Sequence, residues 1–137
     1  MRAMSRMAAT AVVAVGLTVP AFGVGMAPLA KQGMTVGPAK AFYLTVINPY
    51  AQPRAFRAYV DGAEAAGEGI AILPAEVTIK PGGQRRIVVI LRDLAPGQTR
   101  EARICAELAK QEGFIHARVC SKLSATRLAR PLDRDAR

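Results

Sequence analysis

Three residues of this sequence belong to types that often carry chemistry: Cys105, Cys120 and His116. A zinc site takes about four ligands at regular spacings, and the sequence has neither a CxxC motif nor a pair of histidines. Reactive cysteines usually lie in CxxC motifs or at helix N-termini, so the simplest use of the two thiols in an exported chain is a structural bridge. We therefore predict a Cys105–Cys120 disulfide and neither a metal nor another cofactor.

Catalytic motifs are missing from the sequence as well. It contains no GxSxG, P-loop, GxGxxG or HExxH motif, and no Ser, Cys or carboxylate constellation is placed around His116. We interpret His116 as an exposed histidine without a catalytic or metal-binding role. The sequence thus predicts a protein that is not an enzyme and has no small-molecule substrate.

The first 30 residues have the layout of a secretory signal peptide. Arg2 and Arg6 precede residues 7–30, which carry no charge, and a basic region followed by an apolar one is typical of export signals. The uncharged run is also long enough to span a bilayer as an uncleaved anchor, although Gly16 and Pro20 would interrupt its helix. We predict a signal peptide over residues 1–30, cleaved between 21 and 30, and a periplasmic or secreted protein. Membrane contact is expected only if this segment is uncleaved.

The charge and length of the chain limit its class. The 137 residues carry 19 Lys and Arg against 10 Asp and Glu, a formal net charge of +9, and this length holds one domain. Apart from Arg85-Arg86 and the C-terminal tail, the basic residues are scattered singly, whereas polyanion sites cluster them. We expect a solvated basic surface and no nucleic-acid partner, with a polyanion site as the open alternative. Residues 31–124 are predicted to form the domain and residues 125–137 a basic, disordered tail.

Short alternating apolar segments, separated by Pro, Gly and Asn, follow one another from residue 33 onward. This is the pattern of a β-sandwich or barrel. Pro74 interrupts one segment, which suits a sheet edge because proline cannot donate to the ladder. Residues 63–69 are interpreted as a loop. The expected fold is all-β, a sandwich of about seven antiparallel strands, with strands at residues 33–36, 40–48, 54–60, 70–80, 84–91, 100–109 and 114–123.

The last two predicted strands read as a hairpin with a tight loop at Glu112-Gly113. That loop sets Cys105 opposite Cys120 and Glu107 opposite Arg118, and it gives both strands one apolar face. A slip of one residue would separate the two sulfurs. The sequence therefore predicts one register, in which directly opposed cysteines are close enough to be bridged.

Two stretches resemble the N-terminal immunoglobulin-like domain of the PapD-type periplasmic chaperones that assemble pili. They are LTVINP at residues 44–49, and Leu73-Pro74 followed by IKPGGQRRIVV at residues 79–89. Arg100-Glu101 is similar to the start of the family's sixth strand. The resemblance covers residues 33–123 and implies an immunoglobulin-like sandwich.

The same resemblance implies a function in binding exported subunits. Such chaperones lend the last strand of this domain to an incomplete pilin, a form of β-strand addition. The corresponding residues here would be Ile115, Ala117, Val119 and Leu123, with Lys122 binding the subunit's terminal carboxylate. The alternative is a secreted structural or adhesive surface module without chaperone activity.

Overall fold

The computed structural model describes residues 23–62, 69–111, 113 and 116–129. Every regular element in this part of the chain is a β-strand, and these residues include no helix of the length and apolarity that crossing a membrane requires. Residues 1–22 of the predicted signal peptide lie outside the described residues, as do residues 63–68 of the predicted loop and residues 130–137 of the predicted tail.

The described strands form two sheets that pack face to face. In chain order the strands are β1 (Gly25–Ala27), β2 (Ala30–Thr35), β3 (Lys40–Ile47), β4 (Arg54–Asp61), β5 (Ile70–Leu73), β6 (Glu76–Ile79), β7 (Gln84–Leu91), β8 (Thr99–Leu108) and β9 (Arg118–Arg127). The four-stranded sheet has the order β1-β3-β7-β5, and the five-stranded sheet has the order β2-β9-β8-β4-β6. The all-β immunoglobulin-like sandwich expected from the sequence is confirmed.

Alternation along each strand builds the core, because successive side chains point to opposite faces of a sheet. The two central strands of the four-stranded sheet and the three central strands of its partner send every second apolar side chain inward. The buried set is Phe42, Leu44, Val46, Phe56, Ala58, Ile87, Val89, Leu91, Ala102, Ile104, Ala106, Leu123 and Ala125, with Met26, Ile79 and Leu94 completing it. The central position predicted for residues 84–91 is confirmed.

The described chain has more strands than predicted, because two segments change sheets at a proline. The N-terminal segment pairs with β3 as β1, passes Pro28 and then joins β9 as β2. Its pairing with β9 is parallel, from Ala30↔Lys122 to Thr35↔Arg127. The sequence predicted about seven antiparallel strands, and the described residues form nine, with one parallel pairing. That pairing joins distant parts of the chain and leaves no local turn signal.

The second change of sheet divides the segment predicted as one strand broken by Pro74. Ile70–Leu73 is an edge strand of the four-stranded sheet, whereas Glu76–Ile79 is an edge strand of the five-stranded sheet. A proline suits such a crossing because it has no N–H to offer either ladder. The predicted edge position is right, and the two halves lie on different sheets.

The ends of the folded region differ from the predicted domain boundaries. Strand β9 continues to Arg127, three residues beyond residue 124, and is paired there with both β8 and β2. At the other end, β1 lies within the segment assigned to the signal peptide, and Met26 is buried in the core. A cleavage before Val24 keeps β1 in the mature domain; cleavage itself stays a prediction.

A buried asparagine joins two turns at one end of the sandwich. The Asn48 Nδ2 amide donates to the carbonyl oxygens of Gln52 and Ile79, each at 2.9 Å, and to that of Lys80 at 3.2 Å. Its Oδ1 accepts from the Tyr50 backbone N–H at 2.9 Å. The side chain thereby gives the buried Ile79 carbonyl a partner and joins the turns on either side.

Candidate strand-addition site on β9

The predicted register of the last hairpin is the one observed. Cys105 lies opposite Cys120 and Glu107 opposite Arg118, within a ladder that runs from Thr99↔Thr126 to Glu107↔Arg118. The two cysteines are joined with an S–S distance of 2.05 Å and a Cα–Cα distance of 4.0 Å. This bridge ties the first half of β9 to β8.

The two strands of this hairpin have different bounds from those predicted with a tight loop at Glu112-Gly113. β8 ends at Leu108 and β9 begins at Arg118 and runs to Arg127, so the predicted strand at 114–123 starts too early and ends too soon. Lys110 and Gln111, which follow β8, are polar and have no apolar side chain to bury, which fits the end of the strand before them. Ile115 lies outside the described residues. His116 is exposed, and its Nδ1 lies 2.7 Å from Gln111 Oε1.

Strand β9 has a neighbour along nearly its whole length on one side and along only part of it on the other. β8 pairs with residues 118–126 of β9. β2 pairs with residues 122–127 only. Among the described residues no ladder pairs Arg118–Ser121 on that second side. We call residues 118–121, on the side away from β8, the open edge of β9.

The direction of the backbone groups at the open edge follows from one hydrogen bond. The Lys122 N–H donates to the Leu29 carbonyl oxygen at 2.9 Å, so the backbone of Lys122 faces β2. Because the direction alternates along a strand, the N–H and C=O groups of Cys120 and Arg118 point to the same side. The open edge therefore presents two donors and two acceptors in line with the end of β2.

The side chains of β9 alternate between the core and the outer face of the five-stranded sheet. Val119 is half-buried and packs against the core. Ser121 is buried, and its hydroxyl donates to the Pro28 carbonyl oxygen at 2.7 Å. Leu123, predicted to contact a partner, is 0% exposed. Its side chain fills this domain's own core, so we leave it out of the proposal below. Ala117 is half-buried, just before the strand begins.

A row of alternating charges crosses the outer face of the five-stranded sheet. The register aligns Glu76 of β6, Arg57 of β4, Glu107 of β8 and Arg118 of β9. Arg57 Nε donates to Glu107 Oε1 at 2.8 Å, and a second guanidinium nitrogen contacts the same oxygen. Glu107 is only 8% exposed. Its hydrogen bond and its charge raise the pKa of Arg57, and Glu76 adds in the same direction.

Arg118 ends this row at the open edge and remains accessible. Its side chain is 49% exposed, and Nη1 lies 3.3 Å from Asp61 Oδ1 and 3.4 Å from the Tyr59 hydroxyl. The hydrogen bond with Tyr59 and the charge of Asp61 raise the pKa of Arg118. Both contacts are long for charge-assisted hydrogen bonds, so the guanidinium retains donors for another acceptor.

Lys122 lies next to the open edge on the same outer face. Its Nζ is 3.5 Å from Glu101 Oε1, and both side chains are mostly exposed. Exposed pairs of this kind contribute little to stability. Lys122, Glu101 and Asp61 also line a cleft together with Ile70 of the four-stranded sheet. Lys122 and Arg118 therefore lie on the outer face of β9, whereas Val119 between them is directed at the core.

The disulfide lies beside one carboxylate. Asp61 has an oxygen within 4.8 Å of the sulfurs of Cys105 and Cys120. A sulfur binds metal as a thiolate, and the S–S bond removes both thiolates. The bridge ties the two strands of the hairpin together, and while it is intact it leaves no thiolate for a metal ion.

Solved structures with a similar fold include human and bacterial proteins. The PapD-like domain 7 of human CEP192 has a TM-score of 0.62 at 13% identity, over 93% of this chain and 100% of that chain. The Salmonella enterica SafA pilin in complex with the SafB chaperone has a TM-score of 0.62 at 15% identity, over 80% and 56% of the two chains. The periplasmic chaperone SfaE has a TM-score of 0.61 at 13% identity, over 80% and 61%.

These similarities establish the fold of the chain. None of the known protein-family models matches the sequence, and no curated protein matches it. The chain has a PapD-like immunoglobulin fold, as the resemblance at residues 44–49 and 79–89 implied. It spans 56% of the matched chain in the SafA–SafB complex and 61% of SfaE, less than two thirds of either.

Proposed function

We propose that this protein is a periplasmic, chaperone-like binding module that recognises exported, pilus-type subunits by β-strand addition. The observation that carries the proposal is the open edge of β9, a strand with a neighbour on both sides along only part of its length. A segment of a partner placed there would continue the line of β2 and satisfy the backbone groups of Arg118 and Cys120. The protein is proposed to bind, and not to catalyse a reaction.

Affinity and specificity at such a site have different origins. In strand addition, main-chain hydrogen bonds give affinity and alternating side chains give specificity. Val119 and Ala117 are half-buried at this end of the sheet, and we propose that they contact the inward side chains of the added strand. We further propose that Ile115 extends this contact and that Lys122 binds a carboxylate of the subunit.

The comparisons support the class of partner. One matched structure is a pilin in complex with its chaperone, and another is described as a chaperone–tip adhesin complex. The latter has a TM-score of 0.61 at 12% identity, so it shares the fold with this chain. Periplasmic or secreted localisation is proposed on the same basis, together with the N-terminal segment.

A pair of substitutions at Arg118 tests strand addition. Arg118→Pro removes the N–H that points to the open edge. The N–H groups bonded to β8 belong to other residues and stay in place, and proline is tolerated at sheet edges. Arg118→Ala removes the side chain and keeps that N–H. We expect Arg118→Pro to abolish complex formation with a strand-deficient pilin from the same organism, and Arg118→Ala to retain most of it. Size-exclusion chromatography and calorimetry measure both.

Two results would contradict the proposal. Equal binding by the two variants would place the contact elsewhere than on the β9 backbone. A wild-type protein that forms no complex with any such pilin would favour the alternative, a structural or adhesive surface module. Circular dichroism of the Arg118→Pro protein is the control that its fold is intact.

A further inference from the structure

The row of charges on the outer face of the five-stranded sheet stops at the open edge. From β6 to β9 it reads Glu76, Arg57, Glu107 and Arg118, so negative and positive side chains alternate across four strands. Opposite charges on directly opposed residues stabilise a sheet, and like charges destabilise it. The side of Arg118 away from Glu107 has no strand partner among the described residues.

We propose that the strand added to β9 carries an acidic side chain directly opposite Arg118, so that the partner is an acidic, amphipathic segment of an exported protein. This inference rests on the proposed function, because it assigns the chemistry of the strand that the open edge accepts. Arg118 would then be a specificity-determining residue, and its guanidinium would bridge Asp61 and the carboxylate of the partner.

The neighbouring positions complete the pattern. Along β9 the next outward residue is Cys120, whose row with Tyr59 and Cys105 carries no formal charge. Between them Val119 is directed at the core. The added segment therefore has an acidic side chain opposite Arg118, an apolar one opposite Val119 and an uncharged one opposite Cys120. This pattern holds for parallel and for antiparallel addition, since only the order along the partner is reversed.

A second copy of this chain fits the open edge poorly. If two open edges paired with each other antiparallel, Arg118 would lie opposite Arg118 or opposite Cys120 of the other copy, close to its Lys122 and Arg118. The described part of the five-stranded sheet would then bring together side chains of one sign, which is unfavourable. Charge complementarity favours an acidic strand of another protein.

Short alternating Val/Thr peptides provide the probe. Three peptides are identical except for Glu, Gln or Lys at one outward position, and fluorescence anisotropy measures their binding to the full chain. We expect the Glu peptide to bind about two- to fivefold more tightly than the Gln peptide, as expected for one cross-strand charge pair. The Lys peptide should bind more weakly still, and salt should narrow the differences.

Charge reversal separates this inference from the proposed function. Arg118→Glu should reverse the order of the Glu and Lys peptides, and Arg118→Gln should remove it. Binding of all three peptides in an order that Arg118→Glu leaves unchanged would overturn the inference and leave strand addition standing. Binding of none of them, or a self-associated protein that excludes them, would overturn strand addition and this inference together.

Discussion

At the scale of single residues, the disulfide has the most direct energetic role. It joins residues separated by 15 positions, and closing a loop of this size stabilises a protein by about 3 kcal/mol. We expect Cys105→Ser/Cys120→Ser to lower the melting temperature by about 10–20 °C and to keep the all-β circular dichroism spectrum. The double substitution avoids leaving one buried free thiol.

Reduction of the wild type is the matched control for that prediction. Dithiothreitol should lower the melting temperature of the wild type toward that of the double variant and leave the variant unchanged. Free thiols in the exported wild type, or melting that reduction does not alter, would refute the bridge.

Asn48 is a second residue whose removal should be costly. Asn48→Ala removes the Nδ2 donor from the buried Ile79 carbonyl, so we expect a loss of about 1–3 kcal/mol. Urea denaturation measures it. Gln52→Ala is the control, because it keeps the backbone carbonyl that Asn48 contacts and should change stability by less than about 0.5 kcal/mol. A neutral Asn48→Ala would contradict the network.

The sequence predicts the structural role of some single residues and not of others. The cysteine pair could be placed because one register satisfied the sulfurs, the Glu107–Arg118 pair and the apolar faces together. Asn48 was visible only as the end of a strand, since its acceptors Ile79 and Lys80 lie more than 30 residues away. Leu123 was predicted to contact a partner although alternation had already placed it on the core side. Its burial leaves no surface for that contact.

At the scale of elements, amide exchange along β9 tests which side of the strand is covered. Val119 and Ser121 N–H groups point to β8, and the Lys122 N–H is bonded to Leu29. The N–H groups of Arg118 and Cys120 point to the open edge. We expect their exchange, measured by NMR, to be faster than that of the three protected amides by more than about tenfold.

Binding should change that exchange pattern in a defined way. An added strand would protect Arg118 and Cys120 and leave Val119 and Ser121 as they were. Uniform protection along β9 in the unbound protein would mean that another segment already covers the open edge, contrary to the pairing observed.

The elements that the sequence mispredicted share one physical cause. Pro74 was interpreted as interrupting one strand and Pro28 lay within the predicted signal peptide, yet at both places the chain passes from one sheet to the other. Local patterns report which residues alternate, and they do not report which sheet a strand joins. The parallel pairing of β2 with β9 has no turn signal at all, whereas the β8–β9 register has a local hairpin to specify it.

At the scale of the whole molecule, β1 predicts where export processing can cut. A protein lacking residues 1–30 loses β1 and the buried Met26 side chain, which should cost at least about 2 kcal/mol. We expect it to melt well below a protein lacking residues 1–23. N-terminal sequencing of the exported protein should find a start at or before Val24.

Two observations would contradict this prediction. Equal melting temperatures for the two shortened proteins would mean that β1 contributes nothing to stability. A mature N-terminus after Ala27 would mean that β1 is not part of the exported domain. Met26→Ala in the longer protein is the control, and it should account for part of the difference.

The sequence predicts the whole molecule better than its binding site. Turn residues and alternation specify a sandwich, and residues 79–89 identify its PapD-like form. The net charge of +9 did not point to a partner, because the informative charge is one arginine whose position depends on the alignment of four strands. The open edge depends on where β2 ends, which no local pattern indicates.

The point at which the chain joins β9 as β2 sets the length of the open edge. Ladder pairing with β2 begins at Ala30, directly after the chain has passed Pro28. A homologous chain that crossed two residues earlier would occupy the position beside Cys120, and one that crossed two residues later would expose Lys122. The position of the crossing thus determines the length of the partner segment that can pair with β9. Moving it would change that length without any change in β9 itself.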